Sequence, residues 1–296
     1  MTKAFTFIGG DDRQREALRM MSKEGFDIRV YGLDCDNVEG QVEEYSKLSP
    51  ELFNCDVLML PIPYNNIEGY ITMDKDKYGA QKVSIVQVMD HVDPSTLLIL
   101  GKADERLKLL AQEKSVKYYD ILGQEAFSIL NSIPTAEGAI QAAMESSHET
   151  IHGSKALVLG YGRIGKCLSR MLKGIGANVS VGARKSEDLS WIKEGGYRPV
   201  HISNLIKVLP DQQLIFNTIP HLILDRNRLE KMSRDVIVID LASHPGGTDF
   251  EAASELGIKA RLDLGLPGKV APVTAGRIIM EITCDLLRIN LENNKS

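Results

Sequence analysis

The part of the sequence whose spacing points most directly to chemistry is a glycine-rich segment at residues 160–165, which reads Gly-Tyr-Gly-Arg-Ile-Gly. The spacing alone is weak evidence, but an apolar run at 156–159 precedes it and an apolar-faced segment at 164–172 follows it. A strand that ends at the first glycine and a helix that begins inside the motif bring backbone N–H groups and the positive end of a helix together. The pattern predicts a pyrophosphate site. Its predicted contacts are Gly160, Tyr161, Gly162, Arg163, Ile164 and Gly165.

The residues after the next predicted strand, 178–181, indicate which dinucleotide would bind. Proteins that prefer NAD place Asp or Glu here, where the carboxylate accepts a hydrogen bond from the ribose 2′-hydroxyl. In this chain residues 182–186 read Gly-Ala-Arg-Lys-Ser, so a carboxylate is absent and two cations are present. A 2′-phosphate would suit the planar guanidinium of Arg184 and the ammonium of Lys185, beside Ala183. The sequence therefore favours NADP, and the alternative is two solvated cations in a turn.

Two further apolar runs, residues 214–217 and 236–240, are predicted to be strands of the same sheet. Ligands of open α/β sheets lie beyond the carboxyl ends of the strands, so the loops 218–221 and 241–247 should flank the nicotinamide. The predicted coenzyme contacts in this region are Asn217, Thr218, Ile219, Pro220, Leu241, Ala242 and Ser243.

Four side chains are candidates for the reaction itself. His244 lies in the second of these loops and could accept a proton near neutral pH, and His221 lies in the first. Lys269 belongs to a Gly- and Pro-rich stretch expected to be an irregular loop, and Arg13 follows the first predicted strand. Both cations could bind substrate carboxylates. For each of these residues the alternative is an ordinary exposed side chain.

The elements that must position these residues indicate an α/β protein with two doubly wound parallel-sheet (Rossmann-like) domains. A chain of 296 residues is long enough for two cores. Short apolar runs alternate with amphipathic stretches in the first half, as in βαβ units. Gly9 and Gly10 follow its first strand, but Asp11 and Asp12 come next and would repel a pyrophosphate. We therefore expect this half to contact substrate or a partner.

The domain boundaries follow from the helix signals. The first domain is expected at residues 1–150, with a linking helix at 135–149 that Pro134 opens and Thr135 caps. The NADP-binding domain is expected at 151–272. A C-terminal helix at 274–291, apolar at helical spacing, should then rejoin the first domain.

Composition argues against several classes of function. The formal net charge is −5 and the basic residues are scattered, which leaves no electrostatic footprint for nucleic acid. The apolar runs are far shorter than the roughly 20 residues of a membrane helix, and we expect a cytoplasmic protein. The four cysteines form no CxxC pair and no metal-ligand spacing, so we expect reduced thiols and no metal site.

Several segments together resemble the dipicolinate synthase A chain family, and the resemblance runs nearly end to end. The glycine loop is shared by many dehydrogenases, whereas the segments at 133–139 and 240–250 are more particular. The matching segments are Gly-Gly-Asp-Asp-Arg at 9–13, Ile-Pro-Thr-Ala-Glu-Gly-Ala at 133–139, Gly-Tyr-Gly-Arg-Ile-Gly at 160–165, Asp-Leu-Ala-Ser-His-Pro-Gly-Gly-Thr-Asp-Phe at 240–250 and Leu-Pro-Gly-Lys-Val-Ala-Pro at 266–272.

This resemblance implies NADP-dependent oxidation of dihydrodipicolinate to dipicolinate (pyridine-2,6-dicarboxylate) in sporulation, on a branch of the lysine/diaminopimelate pathway. It also implies a hetero-oligomer with a flavoprotein-like partner, the dipicolinate synthase B chain. We expect the dicarboxylate substrate in a cleft between the domains, with His244 as proton acceptor and Arg13 or Lys269 as carboxylate contacts. Two alternatives stay open: a related two-domain dehydrogenase of 2-hydroxy or 2-amino acids, and a non-catalytic NADP-binding regulatory subunit.

Overall fold

The structure, a computed structural model, describes residues 3–36 and 38–288. Contacts divide the chain into two compact units: residues 1–131 with 271–296 form unit 1, and residues 132–270 form unit 2. Each unit contains a parallel six-stranded sheet. The predicted architecture of two doubly wound, Rossmann-like domains is confirmed.

Unit 1 is built on six strands: β1 (Ala4–Ile8), β2 (Asp27–Tyr31), β3 (Val42–Tyr45), β4 (Val57–Met59), β5 (Leu97–Leu100) and β6 (Lys117–Asp120). Their order in the sheet is β3-β2-β1-β4-β5-β6. The helices are α1 (Asp12–Lys23), α2 (Lys75–Tyr78), α3 (Ile85–Met89), α4 (Glu105–Glu113) and α11 (Pro272–Leu287), with short 3₁₀ turns at Pro50–Phe53 and Ile121–Gly123. Helix α5 (Glu125–Ser146) crosses from unit 1 into unit 2.

Unit 2 has strands β7 (Lys155–Leu159), β8 (Asn178–Ala183), β9 (Arg198–His201), β10 (Leu214–Asn217), β11 (Ile237–Asp240) and β12 (Lys259–Leu262). Their order is β12-β11-β10-β7-β8-β9. The helices are α6 (Arg163–Ile175), α7 (Ser186–Glu194), α8 (Arg226–Leu229), α9 (Phe250–Glu255) and α10 (Leu266–Val270), and 3₁₀ turns lie at Ile202–Lys207 and Leu209–Asp211.

The central strands are apolar on both faces because each sheet is covered on both sides. Along β7, Ala156 and Val158 belong to one core cluster, whereas Leu157 and Leu159 belong to another. Successive side chains of a strand point to opposite faces, so these two clusters are the two layers that cover the sheet. Strand β4 and its extension divide in the same way between two clusters of unit 1. This burial explains why the central strands read as continuous apolar runs.

The prediction of a helix that starts at Pro134 is wrong. Helix α5 begins at Glu125 and contains Pro134 in its interior. A proline inside a helix costs about 3 kcal/mol because it removes one backbone hydrogen bond. The helix continues because its two ends are held by different cores: Phe127 is buried in unit 1, and Ala136 is buried in unit 2. Tertiary packing therefore outweighs the local signal at Thr135.

The ends of the other predicted segments differ in smaller ways. The contacts assign residues 132–150 to unit 2, because the alanines of α5 pack in its core. The C-terminal helix starts at Pro272, two residues before the predicted start, with proline in the first turn where it is tolerated. Residues 289–291 of that prediction lie outside the described residues. Within the described part of the chain, no helix combines the length and apolar character needed to cross a bilayer.

Candidate functional site

The carboxyl ends of four strands of unit 2 bring the predicted dinucleotide contacts to one edge of the sheet. Strands β11, β10, β7 and β8 are consecutive neighbours and all run parallel. The loops at 160–162, 184–185, 218–221 and 241–248 therefore follow one another along this edge. Open α/β sheets bind their ligands at such an edge.

The three glycines of the loop after β7 have different roles. A Cβ on Gly160, whose φ is +100°, would lie 2.3 Å from the Thr218 hydroxyl oxygen, and a Cβ on Gly165 would lie 2.1 Å from the Gly160 carbonyl oxygen. These two glycines allow the turn and the helix to pack. A Cβ on Gly162 would have no other protein atom within 4 Å. The middle glycine thus leaves space for a close-lying ligand beside the backbone.

Helix α6 presents its N-terminus at this glycine without a side-chain cap. Gly162 is the N-cap residue and makes no side-chain hydrogen bond to the first turn. The first N–H groups of a helix need partners, and together with the helix dipole they favour an anion. The next residue, Arg163, is exposed on the first turn. The geometry therefore fits the pyrophosphate of a dinucleotide.

The corresponding edge of unit 1 is closed by the protein itself. Asp11 caps α1, with its side chain accepting from the Arg13 N–H and Gln14 completing the capping box. The Gly10 N–H donates to the Thr72 carbonyl oxygen (2.8 Å), and a Cβ on Gly9 would lie 2.3 Å from that oxygen. Backbone donors that would face a pyrophosphate are satisfied within the chain. These donors are therefore not available to a pyrophosphate.

The end of β8 carries the two cations expected near the adenosine ribose. Ala183 is buried, and Arg184 and Lys185 are exposed. Within residues 3–36 and 38–288, neither cation forms an ion pair. The Arg184 carbonyl oxygen lies 3.1 Å from Nε2 of His201, whose Nδ1 accepts from the Ser203 N–H. His201 therefore holds the backbone of the segment, while both cationic side chains extend into solvent.

The side chain of Tyr161, within the glycine loop, is partly buried. It lies against the core of unit 2, and the Lys166 ammonium is 5.5 Å from its ring centroid. Partial burial raises the pKa of the Tyr161 phenol, so it remains protonated at neutral pH.

A buried carboxylate, Asp240, joins the two loops that should flank the nicotinamide. The side chain is fully buried at the end of β11. It accepts hydrogen bonds from Nδ2 of Asn217 (3.0 Å), the Ala242 N–H (3.0 Å), the Gly247 N–H (2.8 Å) and the Thr248 hydroxyl (2.7 Å). Four donors replace the water that a buried charge loses. The loops at 217–221 and 241–248 are consequently held as one unit.

Asn217 and Thr218, two of the predicted coenzyme contacts, use their polar side-chain atoms inside the protein. Asn217 accepts from the Ile219 N–H (3.0 Å) and donates to the Ile219 carbonyl oxygen (3.1 Å), besides its bond to Asp240. The Thr218 hydroxyl donates to the Leu159 carbonyl oxygen (2.8 Å). These side chains shape the edge. A dinucleotide at this edge would face backbone atoms and apolar surface of this loop.

The second loop has an exposed tip on a buried base. Leu241 and Ala242 are buried, whereas Ser243 and His244 are exposed. A Cβ on Gly247 would lie 2.5 Å from the Ile219 carbonyl oxygen, so this glycine serves the contact between the two loops. His244 lies at the tip, next to this rigid base.

The two candidate carboxylate contacts lie in different units. Lys269 is exposed on α10 and lines a cavity of about 190 Å³ in unit 2, against α5. The expected irregular loop is wrong at this point, since residues 266–270 are helical, with Pro267 in the first turn where it is tolerated. Arg13 of unit 1 is paired with Asp11 (2.7 Å) and donates to the Ile62 carbonyl oxygen (2.5 Å). The carboxylate that Arg13 holds is thus one from its own chain.

Sequence reasoning missed Asp240 and His201. The signal for Asp240 was present, because a carboxylate ends an otherwise apolar buried strand and must find donors there. The signal for His201 was absent, because its role depends on the register that places it beside Ala183. Among the described residues, no group of three or more His, Cys, Asp or Glu side chains is arranged to hold a metal ion.

Replacing Asp240 should loosen both loops. Asp240→Asn turns one acceptor oxygen into a donor that faces other donors, so we expect a loss of about 1–3 kcal/mol in the free energy of unfolding. Dinucleotide affinity should fall with it. Thermal unfolding and calorimetric titration measure the two effects. The control is Asp235→Asn, an exposed carboxylate of the same unit. Equal melting temperatures of the two variants would contradict the structural role of Asp240.

Comparison with known proteins agrees with this geometry. Residues 4–122 match the family of the dipicolinate synthase A chain N-terminal domain, and residues 130–244 match the NAD binding domain of D-isomer specific 2-hydroxyacid dehydrogenases. The dipicolinate synthase A chain of Bacillus subtilis is 37% identical over 97% of both chains. The crystal structure of the corresponding protein from Bacillus halodurans has a TM-score of 0.87 and 35% identity, covering 97% of this chain and 98% of that chain.

A second crystal structure, the dipicolinate synthase A chain of Bacillus subtilis, gives a TM-score of 0.86 at 34% identity, covering 97% of this chain and 96% of that chain. A transhydrogenase from Sinorhizobium meliloti, at 14% identity and a TM-score of 0.69 over 96% of this chain and 93% of that chain, shares the fold alone. Identity at the level of the Bacillus proteins along almost the whole chain identifies it as a member of the dipicolinate synthase A chain family.

Proposed function

We propose that this chain oxidises dihydrodipicolinate to pyridine-2,6-dicarboxylate with NADP⁺ as the oxidant. It acts in the cytoplasm of sporulating bacteria, together with a second, flavoprotein-like subunit. The relatives are named as one chain of dipicolinate synthase. That name supports both the product of the reaction and the need for a partner subunit. The match to an NAD binding domain supports the oxidoreductase chemistry.

One observation carries the proposal. An uncapped helix N-terminus at Gly162 lies at the same sheet edge as Arg184 and Lys185, which are exposed and lack an ion pair among the described residues. The first feature suits a pyrophosphate, and the second suits the additional phosphate of NADP. Residues after β7 and β8 would therefore hold the coenzyme, and the loops after β10 and β11 would flank its nicotinamide.

The reaction removes one hydride and one proton from the dihydropyridine ring. Bound NADP⁺ supplies the hydride-accepting chemistry. The protein has to position the ring and accept the proton. In our proposal His244 accepts it, because the imidazole lies at the exposed tip of a loop that Asp240 holds in place. Histidine is the side chain that most often acts as a general base in enzymes.

A cationic side chain, Arg13 or Lys269, binds a carboxylate of the substrate. Lys269 provides an exposed ammonium in unit 2. Arg13 provides a guanidinium in unit 1, where its Nε and Nη2 are used by Asp11 and Ile62 and its Nη1 makes no hydrogen bond to another described residue. A substrate carboxylate binds Arg13 through this remaining nitrogen. Asp11 keeps the guanidinium in a fixed orientation.

The overall reaction is tested directly with purified protein. We expect NADPH absorbance to appear when the chain is mixed with dihydrodipicolinate and NADP⁺, and a parallel sample also contains the flavoprotein-like partner. His244→Asn should lower turnover by about 10²- to 10⁴-fold and leave NADP affinity unchanged. His221→Asn is the matched control in the neighbouring loop. Absence of NADPH in both wild-type samples would refute the proposed function, and full turnover by His244→Asn would refute the role of this histidine.

A substitution at the middle glycine of the loop tests coenzyme binding without changing the stability of the fold. Gly162 has φ −79° and ψ −163°, which alanine also adopts, and its Cβ would meet no protein atom. Gly162→Ala should therefore keep the wild-type melting temperature and lose most of the affinity for both nicotinamide coenzymes, since the methyl group occupies the space beside the helix N-terminus. Gly174→Ala, on the same helix and also without close neighbours, is the control. Normal coenzyme binding by Gly162→Ala would place the dinucleotide elsewhere.

The preference for NADP depends on Arg184. Arg184→Gln should weaken NADP binding by about 10- to 100-fold, because one charge-assisted contact to phosphate is lost, and leave NAD binding nearly unchanged. Lys193→Gln removes the same charge from an exposed position on α7 and should change neither affinity. Calorimetric titration with both coenzymes gives the ratio of the NADP affinity to the NAD affinity for each variant. Tighter binding of NAD than of NADP by the wild-type protein would refute the assignment.

A further inference from the structure

We propose that Lys102 of unit 1 binds a carboxylate of the substrate beside Arg13. The inference rests on the proposed function, because it takes the substrate to be a dicarboxylate. It starts from an unusual backbone conformation. Lys102 has φ +66°, in the left-handed region that favours glycine. Among the described residues, the other non-glycine positions with positive φ are Ser115 and Arg288.

Hydrogen bonds to neighbouring segments hold the backbone of Lys102 in this conformation. The N–H groups of Lys102 and Ala103 both donate to the carboxylate of Asp120, at 2.9 Å and 2.8 Å. The preceding carbonyl oxygen, of Gly101, accepts from the Tyr64 N–H at 2.9 Å. Glycine would meet the same constraints without strain, yet the chain has lysine here. Strain that the surroundings hold in place is often found at functional sites.

The position of Lys102 is the one where a sheet of this type presents ligand-binding residues. It follows the carboxyl end of β5, which pairs with β4, and β4 pairs with β1. Arg13 follows β1 at the same edge. A Cβ on Gly101 would lie 2.6 Å from Cγ2 of Ile62, and the Ile62 carbonyl oxygen accepts from Nη2 of Arg13 at 2.5 Å. Ile62 thus contacts Arg13 and Gly101, the residue that precedes Lys102 in the chain.

The carboxylates named at this edge, Asp11, Asp120 and Asp104, already have partners within the chain. Asp11 neutralises Arg13 by the ion pair at 2.7 Å. Two nearby carboxylates are also engaged: Asp120 accepts the backbone N–H groups, and Asp104 accepts from the Tyr64 hydroxyl at 2.6 Å. The Lys102 side chain is exposed and forms no ion pair within the described ranges. Its ammonium can pair with a substrate carboxylate, and Nη1 of Arg13 supplies a directed donor.

The test distinguishes a binding role of Lys102 from a structural one by measuring stability and affinity separately. If Lys102 binds substrate, its replacement should raise the melting temperature and lower the affinity. Lys102→Gly removes both the charge and the left-handed strain. We expect its melting temperature to rise by about 1–3 °C. Its affinity for pyridine-2,6-dicarboxylate, measured by calorimetric titration of the full chain, should fall by about tenfold. Lys102→Arg keeps the charge and should retain most of the affinity.

Ser115→Gly is the matched control, because it relieves the same kind of strain at an exposed position of unit 1. It should also raise the melting temperature and leave the affinity unchanged. Wild-type affinity in Lys102→Gly would overturn the inference, and the proposed function would stand if the wild-type chain still reduced NADP⁺. A wild-type chain that neither binds the dicarboxylate nor reduces NADP⁺ would overturn both.

Discussion

The N–H groups at the start of a helix must find partners, and the two units of this protein solve that constraint in opposite ways. In unit 1 the side chain of Asp11 caps α1, and the Thr72 carbonyl oxygen accepts from the adjoining glycine turn. In unit 2 the N-cap is Gly162, which has no side chain to offer. Backbone N–H groups at an uncapped helix start can bind an anion, whereas N–H groups that are already hydrogen-bonded within the protein only stabilise the fold. The same fold therefore provides a dinucleotide site in one unit and a closed edge in the other.

An edge that binds a coenzyme also has to be rigid, and Asp240 supplies much of that rigidity. Its carboxylate joins Asn217 of one loop to Gly247 of the next, at the carboxyl ends of two adjacent strands. The Asp240 carboxylate is buried, so water cannot replace a donor that is lost. Removing any one of its partners would leave the charge less well solvated. This dependence keeps the loops in register. It also explains why Asn217, which sequence reasoning assigned to the coenzyme, has no polar atom left for it.

The sequence predicts the dinucleotide edge well because its signals are local. A strand that is buried on both faces reads as an apolar run, and the glycines after β7 mark the start of α6. Features that depend on packing are not predictable in this way. The chain continues the helix through Pro134 because its ends lie in two cores. Strand β3 has polar residues at an edge of its sheet, and α10 is a short helix in a stretch rich in Gly and Pro. Whether each of these segments forms a helix or a strand depends on the elements that it packs against or pairs with, and the sequence does not show those neighbours.

The sites that we propose for the two units differ according to the chemistry of the anion that each would bind. Phosphates have several oxygens in a compact arrangement, which suits the converging backbone donors of an uncapped helix. The carboxylates of a planar ring are separate and point in different directions, so they suit single cations on fixed backbones. At the edge of unit 1 the backbone donors next to Lys102 are taken up by Asp120, and side chains are left to present charge. In our proposal, the backbone donors that Asp120 takes up are unavailable to phosphate at this edge, and the charged side chains that remain bind a carboxylate.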